Sequence, residues 1–206
     1  TDLAGVGGGN AGDHPVHSVN WYDVAKWCNA KSEMEGLTPV YLRRGAVYRT
    51  GQSNDFNIDE WDRGDFQPKI APGANGYRLP SVAEWEWAAR GGVKSLGYTY
   101  SGSNDINDAA WWSGNSGGST RVVGQKQANE LGLHDMSGNV AEWAFDPMPY
   151  MITRNRVRWA ELGRPRCGSS WASGSSETVA VRYRINEPEV AGRSANVGFR
   201  VARNAP

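Results

Sequence analysis

The side chains in this sequence that could carry redox, nucleophilic or metal chemistry are few and scattered. There are two cysteines, Cys28 and Cys167, and three histidines, His14, His17 and His134. Cys28 falls at a helical position of buried character. The cysteines therefore read either as one disulfide or as two small hydrophobes, and spacing alone does not choose between them. They make no soft-ligand pair at metal spacing. His14 and His17 form an HxxH pair, but in a loop, where such a pair is structural; His134, in Leu-His-Asp-Met, reads as a packing or capping residue. Arg154, Arg156, Arg158, Arg164 and Arg166 are dense enough to suggest phosphate contact. Lys plus Arg and Asp plus Glu are equal at 22 each, however, and only Trp159 is interleaved, so the run reads as a solvated loop and nucleic acid is not expected as a partner.

The elements that would position these groups come from a ring-rich composition. Ten Trp and eight Tyr stand against four Phe, with 26 Gly among 206 residues, which describes large rings joined by turns. No apolar run approaches the roughly 20 residues that span a bilayer. Thr1 to Asn10 is Gly-rich, without a basic, apolar leader; a leader or lipid anchor upstream of Thr1 would lie outside this chain. Ser18 to Lys31 places Trp21, Val24, Ala25, Trp27 and Cys28 at helical spacing behind a cap at Ser18 or Asn20. Tyr77 to Gly91 predicts a second helix, opened by Pro80 and Ser81, turning Val82, Trp85, Ala88 and Ala89 inward and stopped by Gly91. Val40 to Tyr48 alternates and breaks at Gly45, the pattern of a short hairpin. Thr50 to Gly76 reads as a long irregular connection, Gly92 to Gly132 as turns and short strands with almost no helix, and Leu133 to Asp146, Cys167 to Arg184 and Asn196 to Arg203 as short strands. Two helices with many short strands make a single α+β domain over residues 1–206.

Several segments, taken together and in order, resemble one family: HPVHSVNWYDVAKWCN (His14 to Asn29), YRLPSVAEWEWAARGG (Tyr77 to Gly92), GLHDMSGNVAEW (Gly132 to Trp143), GSSW (Gly168 to Trp171) and GFRVAR (Gly198 to Arg203). The chain is similar to the formylglycine-generating enzyme, or sulfatase-modifying factor, family. The resemblance implies a variant of the C-type lectin fold, with two helices around short twisted antiparallel sheets and much irregular structure. It makes Trp21, Trp85, Trp87 and Trp143 core residues. It also frames the function, because the generating enzyme uses two cysteines placed shortly after the Gly-Gly-Ser-aromatic motif, whereas Ala172 to Arg184 here contains none. An enzyme of that type is disfavoured. A second branch, the sulfoxide synthases, relies on iron held by a companion helical domain that this chain lacks. An enzyme of either type with an unrecognised active site is the alternative reading.

The third branch of the resemblance, the variable proteins of diversity-generating retroelements, displays a hypervariable C-terminal surface whose residues derive from Asn codons. Residues 167–203 would be that segment. Ser173, Gly174, Ser175, Ser176, Thr178, Tyr183, Ile185, Asn186, Gly192, Ser194, Ala195 and Asn196 are types reachable by changing adenines, while Glu177, Glu187 and Glu189 would have to be invariant. Val181, Arg182, Arg184, Pro188 and Val197 look like scaffold; Val181, Arg182, Arg184 and Phe199 are expected to be buried or hydrogen-bonded, with alternating neighbours facing solvent. Trp159, outside the shared motifs, would be a natural ligand anchor. The expected function is non-catalytic display for a protein or glycan ligand, on a bacterial surface or secreted. The family's calcium turn, carried over, would use Asp135, Gly138 and Val140 through oxygen and Glu142 through its carboxylate. The competing reading is a Glu142 that satisfies buried donors with no ion.

Overall fold

Helix α1 spans Trp21–Met34 in a computed structural model that describes residues 3–51, 69–146, 163–187 and 191–204. Its start is fixed by a reciprocal cap. The Asp23 N–H donates to the Asn20 side chain at 2.9 Å, and the Asn20 N–H donates to the Asp23 carboxylate at 3.1 Å, so Asn20 rather than Ser18 is the cap. Trp21, Val24, Ala25 and Cys28 are buried as the spacing predicts. Trp27 is not: six residues beyond Trp21 it is a third of a turn out of phase and stays 40% exposed.

Helix α2 (Val82–Ala89) opens on a second capping box, with Ser81 and Glu84 exchanging hydrogen bonds. Trp85 and Trp87 cannot share a face at a separation of two, and they divide at 2% and 54% exposure. Trp87 is therefore a surface residue and not the core residue the motif implied. After Gly91 the chain makes a single 3-10 turn, Gly92–Lys94. Two further one-turn helices, α3 (Ile106–Ala109) and α4 (Ser176–Val179), are too short to produce a readable period.

The strands are correspondingly brief. The hairpin β1 (Tyr41–Arg43) and β2 (Ala46–Val47) turns at Gly45, and β3 (Lys69–Ile70) adds to its other edge within the connection read as irregular. β4 (Ala110–Trp111) runs parallel to β5 (Ser137–Gly138). The site rests on the third sheet, ordered β8-β7-β6-β9, from β6 (Ala141–Trp143), β7 (Arg164–Cys167), β8 (Arg184–Glu187) and β9 (Val197–Gly198). β6–β7 and β7–β8 are antiparallel; β9 returns parallel to β6. Two glycines allow the close approaches. A Cβ on Gly138, at φ +85°, would sit 2.3 Å from the Trp111 carbonyl oxygen, and one on Gly198 would sit 2.2 Å from that of Val16.

The largest core cluster packs α1 against the first hairpin and Trp143. Trp21 meets Tyr41 edge to face at 5.7 Å. A second cluster sets Trp85 and Ala89 of α2 against Met136, Ala144, Cys167 and Val181. Arg164 belongs to this interior and not to a solvated run. It is 3% exposed, its guanidinium lies 4.1 Å from the Trp21 ring centroid, and burial lowers its pKa to about 10. Arg154, Arg156, Arg158 and Trp159 lie outside the described residues.

Candidate functional site

Register gives the third sheet two distinct faces. Glu142 stands opposite Cys167 and Gly198, and Cys167 opposite Arg184, so this row faces α2. Trp143 stands opposite Arg166, and Arg166 opposite Ile185, forming the row on the other face.

On the first face, the Glu142 carboxylate is 5% exposed and closes a buried node. It accepts from Trp85 Nε1 at 2.6 Å and from Arg200 Nε and Nη2 at 2.5 and 2.7 Å; Arg200 Nη2 also donates to the His134 carbonyl at 3.2 Å. Three family motifs, EWEW, GNVAEW and GFR, thus converge on one carboxylate. This arrangement does not fit the calcium expectation. Both Glu142 oxygens face protein donors, and a divalent ion there would adjoin a guanidinium. Asp135, at φ +56°, accepts from the Gly124 N–H at 2.8 Å through Oδ2, and burial raises its pKa. Gly138 is committed to β5, and Val140 is buried. Among the described residues no three His, Cys, Asp or Glu side chains gather as a metal group.

Cys28 and Cys167 lie in separate core clusters as free thiols. Burial pushes both up, Cys167 to about 12, the opposite of what a nucleophilic or metal-binding thiolate needs. Each histidine ring is held through Nδ1 by a protein oxygen. His14 Nδ1 pairs with Thr120 Oγ1 at 2.9 Å, His17 Nδ1 with Ser18 Oγ at 2.9 Å, and His134 Nδ1–H donates to the Lys126 carbonyl at 2.8 Å.

The second face opens on a cleft of about 330 Å³, whose lining includes Trp143, Arg166, Gly192, Arg193, Ser194 and Asn196. Its wall is the loop 191–196, and the scaffold grips that loop by its main chain. Asn20 Nδ2 donates to the Ala191 carbonyl at 3.0 Å, the Ser18 N–H to Ser194 at 3.0 Å, Trp171 Nε1 to Ala195 at 3.2 Å and the Ala141 N–H to Asn196 at 2.9 Å. One side chain anchors it as well: Arg193 Nε and Nη2 donate to Asp23 at 2.7 and 3.0 Å. Ser194 and Ala195 are exposed and Asn196 half-buried, with Ser194 and Asn196 side chains joined to each other at 2.5 Å. The backbone is fixed while the Ser194 and Ala195 side chains are left to solvent.

Of the other anticipated contact residues, Ile185 is 37% exposed on the same sheet face as Arg166, and Asn186 pairs with Pro165 on the edge strand. Gly174, Ser175 and Ser176 are exposed in the turn leading into α4, where Thr178 Oγ1 donates to the Ser175 carbonyl at 2.7 Å above the buried Val179. Ser173 is half-buried and tied down, its hydroxyl accepting from the Ser170 N–H at 3.0 Å and its carbonyl from the Ser113 N–H at 3.2 Å. Tyr183 is half-buried. The scaffold residues divide. Val181 is buried and Phe199 half-buried, but Arg182 and Arg184 are exposed, Arg184 lying 3.7 Å from Glu86. The expected alternation fails there because β8 is an edge strand that starts only at Arg184. Arg166 and Arg193 were not anticipated in the site. An acidic residue at the third position of α1 is a local capping signal and does not announce a partner 170 residues away.

Comparison with known proteins identifies the family and the fold. "Chaperone protein LppX" of Paenibacillus barcinonensis is 37% identical over 93% of this chain and 70% of its own length. The "Inactive C-alpha-formylglycine-generating enzyme 2" of Bos taurus is 32% identical over 63% of this chain; the match spans under half, 45%, of that protein. Among solved structures, Treponema denticola variable protein 1 superposes with a TM-score of 0.74 at 34% identity, covering 95% of this chain and 73% of that one. CarF gives a TM-score of 0.74 at 30% identity over 96% and 70%. The family model of the sulfatase-modifying factor enzyme 1-like domain matches residues 5–205, and the chain belongs to that family.

Proposed function

We propose that this protein is a non-catalytic binding module. Its single domain, residues 1–206, presents a ligand surface from the segment 167–203, built on the loop 191–196 and the cleft beside it. The observation that carries the reading is the way that loop is held. Its carbonyls are gripped by scaffold donors, whereas the side chains of Ser194, Ala195 and Asn196 contribute little to the fold. Substitution at such positions usually costs within about 0.5 kcal/mol, so their chemistry can change without loss of structure. Similarity to Treponema denticola variable protein 1 and to an inactive formylglycine-generating enzyme supports the same reading. The contact set is Ser173 to Ser176, Thr178, Tyr183, Ile185, Asn186, Gly192 and Ser194 to Asn196, with Trp159 as a further anchor. The partner is a protein or glycan met at a bacterial surface or in the medium.

Two measurements test this. The DNA encoding the chain is expected to lie near a template repeat that differs from the 167–203 coding segment only at adenines. Purified protein given copper and a cysteine-containing sulfatase-type peptide is expected to yield no formylglycine. Turnover would overturn the non-catalytic reading, and a locus without such a repeat would overturn the variable display.

A further inference from the structure

Behind the Arg193–Asp23 ion pair lies a second hollow, of about 250 Å³. Its walls include Leu3, Val6, Val16, Val24, Trp27 and Phe199, and Asp23 is its polar member. Trp27 and Phe199 meet edge to face, with centroids 5.2 Å apart, and the rim is open, Trp27 being 40% and Val16 39% exposed. Three features select the occupant. The volume falls below the roughly 300–1,000 Å³ usual for small-molecule sites, yet admits one large side chain. Asp23 already accepts from Arg193 and from the Asn20 N–H, so the hollow offers apolar wall and no unclaimed charge, which favours a neutral, apolar group. Finally, Arg193 lines the display cleft while its partner Asp23 lines the hollow, so one ion pair separates the two depressions.

We propose that the hollow is a socket for an aromatic or branched aliphatic side chain of a protein ligand that docks across the 191–196 loop. This rests on the display reading and deepens it by choosing protein over glycan. It also divides the labour. Val16, Trp27 and Phe199 lie outside the adenine-variable positions, so the socket supplies a constant anchor beside a changeable surface.

The test titrates N-acetyl-L-phenylalaninamide, N-acetyl-L-leucinamide, N-acetyl-L-glutaminamide and methyl β-D-glucopyranoside separately onto isotope-labelled full chain. The two apolar amides are expected to give saturable shifts at the Val16 and Val24 methyls and the Trp27 indole N–H, with millimolar Kd. Glutaminamide and the glucoside are expected to give none. Val16→Asp, a change at an exposed rim, is expected to weaken the apolar amides at least tenfold with the melting temperature retained, whereas joint replacement of Ser194, Ala195 and Asn196 leaves them unchanged. Equal shifts from glutaminamide, saturation by the glucoside, shifts that map elsewhere, or full binding by folded Val16→Asp would overturn the socket. Because these probes do not depend on the variable loop, the socket can fail while the template repeat is present, and it can stand where that repeat is missing.

Discussion

Replacing Glu142 with alanine deletes the acceptor of three donors at once, Trp85 Nε1 and Arg200 Nε and Nη2. The carboxylate is 5% exposed, so water does not substitute for it. Removing one partner of a buried ion pair costs about 3–5 kcal/mol. The indole bond, about 1.5–3 kcal/mol to a charged acceptor, overlaps that figure rather than adding to it, since the same group is lost. A loss of about 3–5 kcal/mol in a chain of this size lowers the melting temperature by roughly 6–20 °C. Glu142→Gln keeps the shape and can still accept from the indole and one guanidinium N–H, but it turns an amide N–H₂ toward Arg200, so about 1.5–3 kcal/mol is expected. Thermal unfolding followed by near-UV circular dichroism, with added calcium and then with chelator, reads both effects. Neither additive is expected to shift the wild-type transition, because Arg200 supplies the charge that a cation would. An alanine variant that melts with the wild type would refute the node. So would a chelator that lowers the wild-type transition and leaves Glu142→Ala unaffected, since that pattern requires an ion on the carboxylate.

Arg193→Ala is expected to cost about 1–3 kcal/mol, less than a fully buried pair, because Asp23 keeps the Asn20 N–H and has Lys26 Nζ at 3.9 Å. Faster hydrogen exchange at the Ser18 and Ala141 amides, which donate into the loop, should accompany it, and unchanged protection would show that the pair does not hold the loop. Gly138→Ala forces a Cβ to 2.3 Å from the Trp111 carbonyl at φ +85° and should destabilise by at least about 1–3 kcal/mol in denaturant melts. Gly174→Ala, whose Cβ meets nothing within 4 Å, serves as the neutral control and should stay within about 0.5 kcal/mol. Both thiols should resist a chromogenic thiol reagent at pH 8 until the chain unfolds. Burial raises the folded Cys167 pKa from 9.0 to about 12, so its contribution to stability is complete below pH 9 and is lost as pH rises toward 12. Rapid labelling of folded protein would contradict this.

What could be read from the sequence was local. The α2 cap at Ser81, the hairpin break at Gly45 and the separation of Trp85 from Trp87 onto different faces each follow from residues within a few positions of one another. The motifs carried the fold further than periodicity could, since strands of two to four residues have no measurable period. The site was legible as a segment and not as a geometry. Gly192, Ser194 and Asn196 do line one cleft, yet Arg166 and Arg193 also line it, and Arg193 is held by Asp23, 170 residues distant. The Glu142 turn left two readings open for a related reason: a carboxylate in a glycine-rich turn has the same local sequence whether its counter-charge is a metal ion or an arginine 58 residues later.

That separation orders events on the ribosome. Trp85 and Glu142 are synthesised well before Arg200, and β6 gains its parallel neighbour only when Val197 and Gly198 have emerged. Until then the nascent domain holds an acid in an apolar setting without its counter-charge, and the edge of β6 is bare. Folding of this sheet is accordingly post-translational in character, and a chain interrupted before Arg200 cannot complete it. A chain truncated before Val197 would lack both the parallel neighbour of β6 and the Arg200 counter-charge, and is expected to be open to proteolysis.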